Sequence, residues 1–388
     1  MLWVALKLGL TSFGGPIAHL GYFERSYVRK RRWLSNEQYG QLVSLCQILP
    51  GPTSSQVGLL VGLHRAGWKG AVAAWCGFTL PSALLMYLFA ILAPAVPGPR
   101  MQAGLHGLML SAVAVVAQAV WSMARSLAPD FPRRAIALVA CLALLLMPAA
   151  LTQYAILAGG AVAGAVLCQS AVHTTRNLPP RLNTRSGCIA FGIFLALLIG
   201  LSSTLAFATR GPLAFASIFY RCGTFVFGGG HVVLPLLQQA LVPTGWVSDG
   251  RFLAGYGLVQ AMPGPLFTFA AYLGASGAPQ HQSLLWALLA LISIFLPGLL
   301  LAVTGLSLLD RVANNKMANA MLAGINAAVV GLLAAALYNP VWIAAVRSGL
   351  DVVAVLVAFA LLARLKIPPV LIVVLCVGAS IVESIILE

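Results

Sequence analysis

Gln47-Ile48-Leu49-Pro50-Gly51-Pro52 reappears further along the chain as Gln260-Ala261-Met262-Pro263-Gly264-Pro265. The match is not isolated. Phe13-Gly14-Gly15-Pro16 returns as Phe227-Gly228-Gly229-Gly230, Trp33-Leu34-Ser35 as Trp246-Val247-Ser248, and Leu80-Pro81 as Leu296-Pro297. The order is kept, and the offset stays between 213 and 216 residues. One such match arises by chance; four in register do not. Two homologous halves are therefore expected, 1–172 and 209–388, joined by a linker and connecting helix over 173–208.

Composition sets the solvent of these halves. Of 388 residues, 60% are hydrophobic and 8% charged, with mean hydropathy +0.95. A soluble domain carries about 25% charged residues, and a soluble fold of this size has no core large enough for so much apolar surface. The apolar runs 71–92, 105–123, 189–207 and 284–306 approach the ~20 residues that cross a bilayer. Residues 1–10 lack a basic leader and a small-residue cleavage site, so the first apolar stretch is expected to be retained. Cys46, Cys76, Cys141, Cys168, Cys188, Cys222 and Cys376 are all isolated. No disulfide framework, metal site or cofactor is expected.

The net charge of +15 does not point to nucleic acid, because the cations gather in short loops between apolar segments. Their distribution also orients the halves. Arg25, Arg29, Lys30, Arg31 and Arg32 precede the first tryptophan motif, whereas 235–245, before its repeat, has no cation. Arg65 and Lys69 match the uncharged 278–283. Further on the bias reverses. The segments 94–99 and 147–153 hold at most Pro-rich neutral sequence, while their counterparts hold Arg311 with Lys316 and Arg364 with Lys366. Arg125, Arg133 and Arg134 face a counterpart with Arg347 alone. Lys/Arg-rich loops stay cytoplasmic. The halves are thus expected to insert with opposite topology, with 189–207 as the extra crossing that flips the second. Arg100, Arg210, Arg251 and Arg347 would then lie outside. The expected architecture is an all-α polytopic membrane protein of two inverted repeats with broken or re-entrant helices. It crosses nine times if the Gly- and Pro-rich segments re-enter and thirteen if they span.

At these motifs the chain resembles the chromate ion transporter family in its two-domain form. The resemblance rests on Ser12-Phe13-Gly14-Gly15-Pro16 with His19, Trp33-Leu34, Cys46-Gln47-Ile48-Leu49-Pro50-Gly51-Pro52-Thr53, Arg65-Ala66-Gly67 and Gly77-Phe78-Thr79-Leu80-Pro81. In the second half it rests on Phe227-Gly228-Gly229-Gly230-His231, Trp246-Val247 and Gln260-Ala261-Met262-Pro263-Gly264-Pro265. It covers nearly the whole chain. It implies a multi-pass carrier of the cytoplasmic (inner) membrane that exports chromate, driven by an ion gradient or membrane potential, and so confers chromate resistance. Sulfate shares chromate's shape and charge, so sulfate or oxyanion uptake and a gated anion channel are the alternatives. The expected partners are a chromate- or sulfate-like oxyanion and the lipid bilayer, with no nucleic acid; a homodimer is compatible with this reading. No G-x-x-x-x-G-K-[ST], H-E-x-x-H or G-x-S-x-G occurs, so neither an ATP-driven pump nor an intramembrane enzyme is expected.

The candidate site follows from the breaks. Proline lacks an N–H and clashes with the preceding turn, and broken backbone survives in lipid only where protein or a wet cavity satisfies it. Helix N-termini exposed at Phe13, Gly14 and Gly15, at Pro50, Gly51, Pro52 and Thr53, at Phe227, Gly228 and Gly229, and at Pro263, Gly264 and Pro265 would offer N–H groups to an anion. Close helix packing by glycine is the plainer alternative. Lys7 and Arg221 each lie six residues before the phenylalanine of a Phe-Gly-Gly motif, in apolar sequence where a charge costs at least ~2.5 kcal/mol. Binding a dianion or snorkelling to the interface would each explain them. Gln47 and Gln260 precede the Pro-Gly-Pro turns and could donate amide hydrogens. His19, Glu24 and His231 flank the breaks and are candidates for proton coupling, or simply hydrogen-bond helix ends. Cysteines placed at Ser35 and Ser248 are expected to react with an impermeant thiol reagent from opposite sides of the membrane. Labelling of both from one side would exclude the inverted repeat.

Overall fold

The computed structural model describes residues 1–93, 98–147, 150–168, 183–207, 211–227, 230–279, 281–312 and 316–387. The first half contains α1 (Leu2–Thr11), α2 (Gly15–Phe23) running into a π-helical turn (Glu24–Lys30), α3 (Asn36–Ile48), α4 (Thr53–Leu92), α5 (Pro99–Leu127), α6 (Phe131–Leu146) and α7 (Ala150–Leu167). After α8 (Thr184–Phe207) come α9 (Pro212–Thr224), α10 (Val233–Leu241), α11 (Asp249–Ala261), α12 (Phe269–Ser276), α13 (Ser283–Val312), α14 (Lys316–Ala336), the short α15 (Ile343–Ala345), α16 (Gly349–Ala363) and α17 (Pro369–Leu387). No strand occurs among the described residues. The four long apolar runs lie in α4, α5, α8 and α13, which with α14 are long and apolar enough to cross a membrane. The chain is an all-α polytopic membrane protein.

Local sequence explains where these helices start. Ser35 caps α3: its Oγ accepts from the Gln38 N–H at 3.1 Å, and Gln38 Oε1 accepts from the Ser35 N–H at 3.0 Å, a reciprocal pair that satisfies two otherwise orphaned donors. Ser248 holds the same position before α11, so the repeated Trp-x-Ser marks a helix start in both halves. The adjoining tryptophans pack differently. Trp33 stacks on Tyr27 at 5.6 Å and gathers the guanidinium groups of Arg31 and Arg65 at 5.7 and 5.6 Å. Trp246 instead closes an apolar cluster with Phe215 and Trp286.

The forty-residue α4 is two arms. Ala66 and Gly67 leave helical geometry, with Gly67 at φ +60°, and the chain folds back so that a Cβ on Gly62 or Gly70 would strike the other's carbonyl. The arms are 53–65 and 68–92. In the second half the corresponding fold-back is a longer turn between α12 and α13. Helices next to the breaks are short. The 13 residues of α3 or α11 reach about 20 Å at 1.5 Å per residue, short of the ~30 Å hydrocarbon core.

The halves are intertwined. The α6 and α7 helices of the first half pack on α14 of the second, while α16 and α17 pack on α5. Glycines permit both approaches. Gly324 of α14 sits against Gly160 and Gly164 of α7, and Gly107 of α5 sits against Cys376 and Val377 of α17. With no hydrophobic drive between helices in lipid, such close backbone contact supplies much of the attraction. At the periphery α8 packs on α9 and α13, burying Ala190 and Phe194 and turning Ile189, Phe191, Ile193 and Ile199 outward. An apolar surface of this extent on α6, α7, α8, α16 and α17 suits lipid rather than water. Gly324→Leu is expected to cost ~1–3 kcal/mol by overpacking, read as lower thermal stability in detergent. Gly192→Leu, with open space beside it, is expected to change stability by less than ~0.5 kcal/mol.

Candidate functional site

Each Phe-Gly-Gly motif interrupts a helix. The first helix, α1, ends at Thr11, Ser12 is extended, and Gly14 and Gly15 adopt φ +96° and +79° before α2 begins with Pro16 in its first turn. A side chain at either glycine would be forced into the left-handed region. In the second half α9 ends at Thr224 and the chain resumes as a 3-10 turn (Gly230–Val232) leading into α10. Gly228 and Gly229 lie outside the described residues. The Pro-Gly-Pro motifs behave alike, with Gly51 at φ +116° and Gly264 at φ +97°. Neither α2 nor α4 has a side-chain cap at its start, which leaves first-turn N–H groups to other partners.

The breaks meet across the halves. The Gly51 N–H donates to the Val226 carbonyl at 2.7 Å, and the Gly264 N–H donates to the Ser12 carbonyl at 2.9 Å. Val226 and Ser12 each immediately precede the phenylalanine of a Phe-Gly-Gly motif. The two bonds therefore join equivalent positions in reciprocal order, each Pro-Gly-Pro turn bonding to the other half's break. Gly230 completes the crossing beside Leu266 and Pro16.

Side chains fix both turns to the long helices of the opposite half. Gln56, fully buried, donates from Nε2 to the Pro50 carbonyl at 2.8 Å and to the Gly298 carbonyl of α13 at 2.9 Å. A Cβ on Gly51 would stand 2.8 Å from the Gly298 Cα. At the second turn Thr268 donates to the Pro265 carbonyl at 2.8 Å and lies 2.6 Å from Ser82 Oγ of α4. Having one hydrogen, Thr268 accepts there and Ser82 donates. Gly298 and Ser82 each directly follow the proline of the Leu-Pro repeat. Gly9 and Gly223 make matching approaches, to the Gly77 and Phe78 carbonyls and to the Ile294 carbonyl.

The first half contributes most polar groups. His19 is buried, edge-on to Phe78 at 5.4 Å, with Nδ1 3.4 Å from Ser54 Oγ, and its ring meets the Ser12 backbone. The hydroxyls of Ser12, Ser55 and Thr79 adjoin the same crossing, buried and without a protein partner. Pro263, Gly264 and Pro265 are buried; Phe13, Gly15, Pro50 and Thr53 are partly accessible and Gly14 is exposed. Thr53 reaches the Cys46 carbonyl at 3.5 Å. On the other side, partly accessible Phe227 follows Val226, and His231 Nδ1 lies 2.8 Å from the Tyr256 hydroxyl, which the Gln260 side chain also meets.

Other sequence candidates lie differently. Gln47 and Lys7 are exposed on α3 and α1. Arg221 is half-buried, its guanidinium over the Tyr154 ring of α7 at 5.0 Å. Neither cation has a carboxylate partner among the described residues. Glu24 is engaged by Arg29 at 2.8 Å. The pair lines a polar cavity of about 380 Å³ beside α2, with Ala18, Gly21, Tyr22 and Arg25. Thr79, Ser82 and Thr268 were not among the sequence-derived site residues. Their signal was position, since each lies beside a repeated proline motif.

A family model described as chromate transporter matches residues 1–165 and 213–381. The chain belongs to the chromate transporter family. The chromate transport protein of Pseudomonas aeruginosa is 29% identical over 344 residues, covering 85% of this chain and 78% of its own. That of Cupriavidus metallidurans is 25% identical over 366 residues, covering 93% and 86%. An uncharacterized transporter of Methanocaldococcus jannaschii is 25% identical over 344 residues, covering 85% and 81%. No solved structure matches. In this transporter, replacing Gly14 and Gly15 together with alanine is expected to abolish oxyanion flux, because both occupy positive φ, while detergent-extracted protein stays monodisperse. Normal flux in the double variant would show that this break is not part of the site.

Proposed function

We propose that this chain is a secondary active carrier that exports chromate, or a tetrahedral dianion of the same kind, across the cytoplasmic membrane. The observation that carries the reading is the reciprocal bonding of the breaks, Gly51 to Val226 and Gly264 to Ser12. It is the arrangement expected of two repeats, 1–172 and 209–388, related by a two-fold axis through their interrupted helices. In such carriers the substrate sits between the repeats near the midplane and access alternates as one moves against the other. The names of the Pseudomonas and Cupriavidus relatives support chromate as substrate.

Inverted topology fits the packing. Arg31 and Arg65, from loops assigned inside by charge, share Trp33. The segments assigned outside also converge, at Trp246 with Trp286 and around Arg251 and Arg347. At the crossing, first-turn N–H groups of α2 and α4 and the free hydroxyls of Ser12, Ser55 and Thr79 supply donors without charge. Such donors bind an oxyanion that must also be released. Arg221 supplies positive charge from α9, assisted by Lys7. The buried His19, the partly buried His231, and Glu24 at the polar cavity are the groups through which proton movement would couple to transport. The same helix termini would serve an anion channel. Saturable flux accelerated by anion on the opposite side distinguishes a carrier from an unsaturating conductance.

The test is uptake of labelled chromate and sulfate by everted vesicles, with and without a proton gradient. Saturable chromate accumulation is expected; no flux of either anion overturns the reading. In the same assay Arg221→Gln is expected to raise the half-saturating chromate concentration roughly ten- to a hundredfold, the loss of one charge-assisted contact of ~1.5–3 kcal/mol. Arg221→Lys should recover only part, since lysine lacks the planar fork and stacks less well on Tyr154. Unchanged affinity and rate in Arg221→Gln would leave Arg221 as a packing residue.

A further inference from the structure

A second cationic cavity lies away from the crossing. It has a volume of about 340 Å³ and is enclosed by the end of α4, the start of α5, the first turn of α11, the end of α12 and the segment before α16. Water in the liquid occupies about 30 Å³ per molecule, so the space accommodates a tetrahedral oxyanion together with hydrating water. Its polar lining is Gln102, His106, Arg251, Tyr272, Ser276 and Arg347.

The charge on Arg251 and Arg347 is not met by an ion pair among the described residues. The acid nearest in the hydrogen-bond network is Asp351, and its oxygens are already occupied. Oδ1 accepts from His106 Nε2 at 2.8 Å, and Oδ2 accepts from the backbone N–H groups of Arg347 and Ser348 at 2.8 and 2.9 Å. Asp351 therefore fixes the backbone that carries Arg347 and the ring of His106 without covering the guanidinium. Arg251 is held similarly, its carbonyl accepting from the Tyr272 hydroxyl at 2.9 Å. Both backbones are thus hydrogen-bonded in place, and both arginines are exposed.

The position of these arginines sharpens the point. On the orientation proposed above, every lining segment ends on the outer side, where lysine and arginine are disfavoured. That side keeps Arg100, Arg210, Arg251 and Arg347, and two of these four share this cavity. Two unpaired guanidinium groups complement a doubly charged anion and raise its local concentration.

We propose that this cavity is an outward-facing binding site for a dianionic tetrahedral oxyanion, distinct from the crossing of the broken helices. The inference rests on the carrier reading. In an exporter it is the station at which released substrate or external dianion rebinds, which makes net efflux sensitive to external sulfate or chromate.

Counterflow separates the two faces. Right-side-out vesicles preloaded with chromate report the half-saturating external concentration, and everted vesicles report that of the inner face. Arg251→Gln and Arg347→Gln are each expected to raise the external value about tenfold, one charge-assisted contact apiece, and the double variant further, with the inner-face value moving less than about twofold. An unchanged external value in the double variant, in vesicles that still carry chromate from within, overturns the outer site and leaves the carrier reading intact. Absence of chromate and sulfate flux in the wild-type chain overturns the carrier reading itself. Gln102→Cys gives a readout free of arginine replacement. Above the background of the parent chain, an anionic thiosulfonate should modify it faster than a cationic one, and sulfate should slow that reaction. Equal rates with both reagents and no protection by sulfate count against the site.

Discussion

The pair of backbone hydrogen bonds between Gly51 and Val226 and between Gly264 and Ser12 is what the rest of the fold accommodates. Within a bilayer an interrupted helix must find partners for its freed N–H and carbonyl groups inside the protein. Flanking prolines remove two possible donors at each Pro-Gly-Pro turn, leaving the central glycine to donate. Its acceptor is a carbonyl freed by the other half's break. Each interruption thus solves the other's problem, and neither half has a complete set of partners alone. The close glycine approaches at Gly9 and Gly223 seat α1 on α4 and α9 on α13 near enough for this exchange.

The exchange is symmetric in backbone but not in side chains. Gln56 spans two carbonyls at the first turn, while the smaller Ser82–Thr268 pair anchors the second. The second turn is buried throughout, while in the first Gly51 and Pro52 are buried and Pro50 is partly accessible. His19 and the unpartnered hydroxyls also cluster with the first. Matching backbone positions therefore carry unequal chemistry, and the first half holds most of the polar groups at the crossing.

Much of this was legible from glycine and proline alone. These residues constrain the backbone wherever they occur, so their recurrence at a near-constant offset pointed to the breaks, while the apolar runs pointed to the long helices. Positions set by tertiary packing were less visible. Periodicity across 53–92 does not reveal the fold-back at Ala66 and Gly67, because both arms are apolar and helical, but Arg65 and Lys69 marked a charged loop there. Arg221 looked unaccompanied in sequence, since its neighbour Tyr154 lies in the other half. Lys7 and Gln47 matched their counterparts by position, yet both are exposed, which a linear repeat does not encode. Ser82 and Thr268 carry no signal beyond their place beside a repeated proline, and only the partner far along the same chain gives each its meaning.

The crossing also sets a timetable for biosynthesis. Gly51 leaves the ribosome about 175 residues before Val226, its acceptor, and Ser12 waits about 250 residues for Gly264. At roughly 5–20 residues per second the nascent first half spends on the order of ten seconds or more with its breaks unmatched. During that interval the open backbone must be kept hydrated or sheltered by the insertion machinery. The last steps of assembly are then the threading of α16 and α17 onto α5, a helix made hundreds of residues earlier. A pause placed between residues 51 and 226 would lengthen the interval with the breaks unmatched.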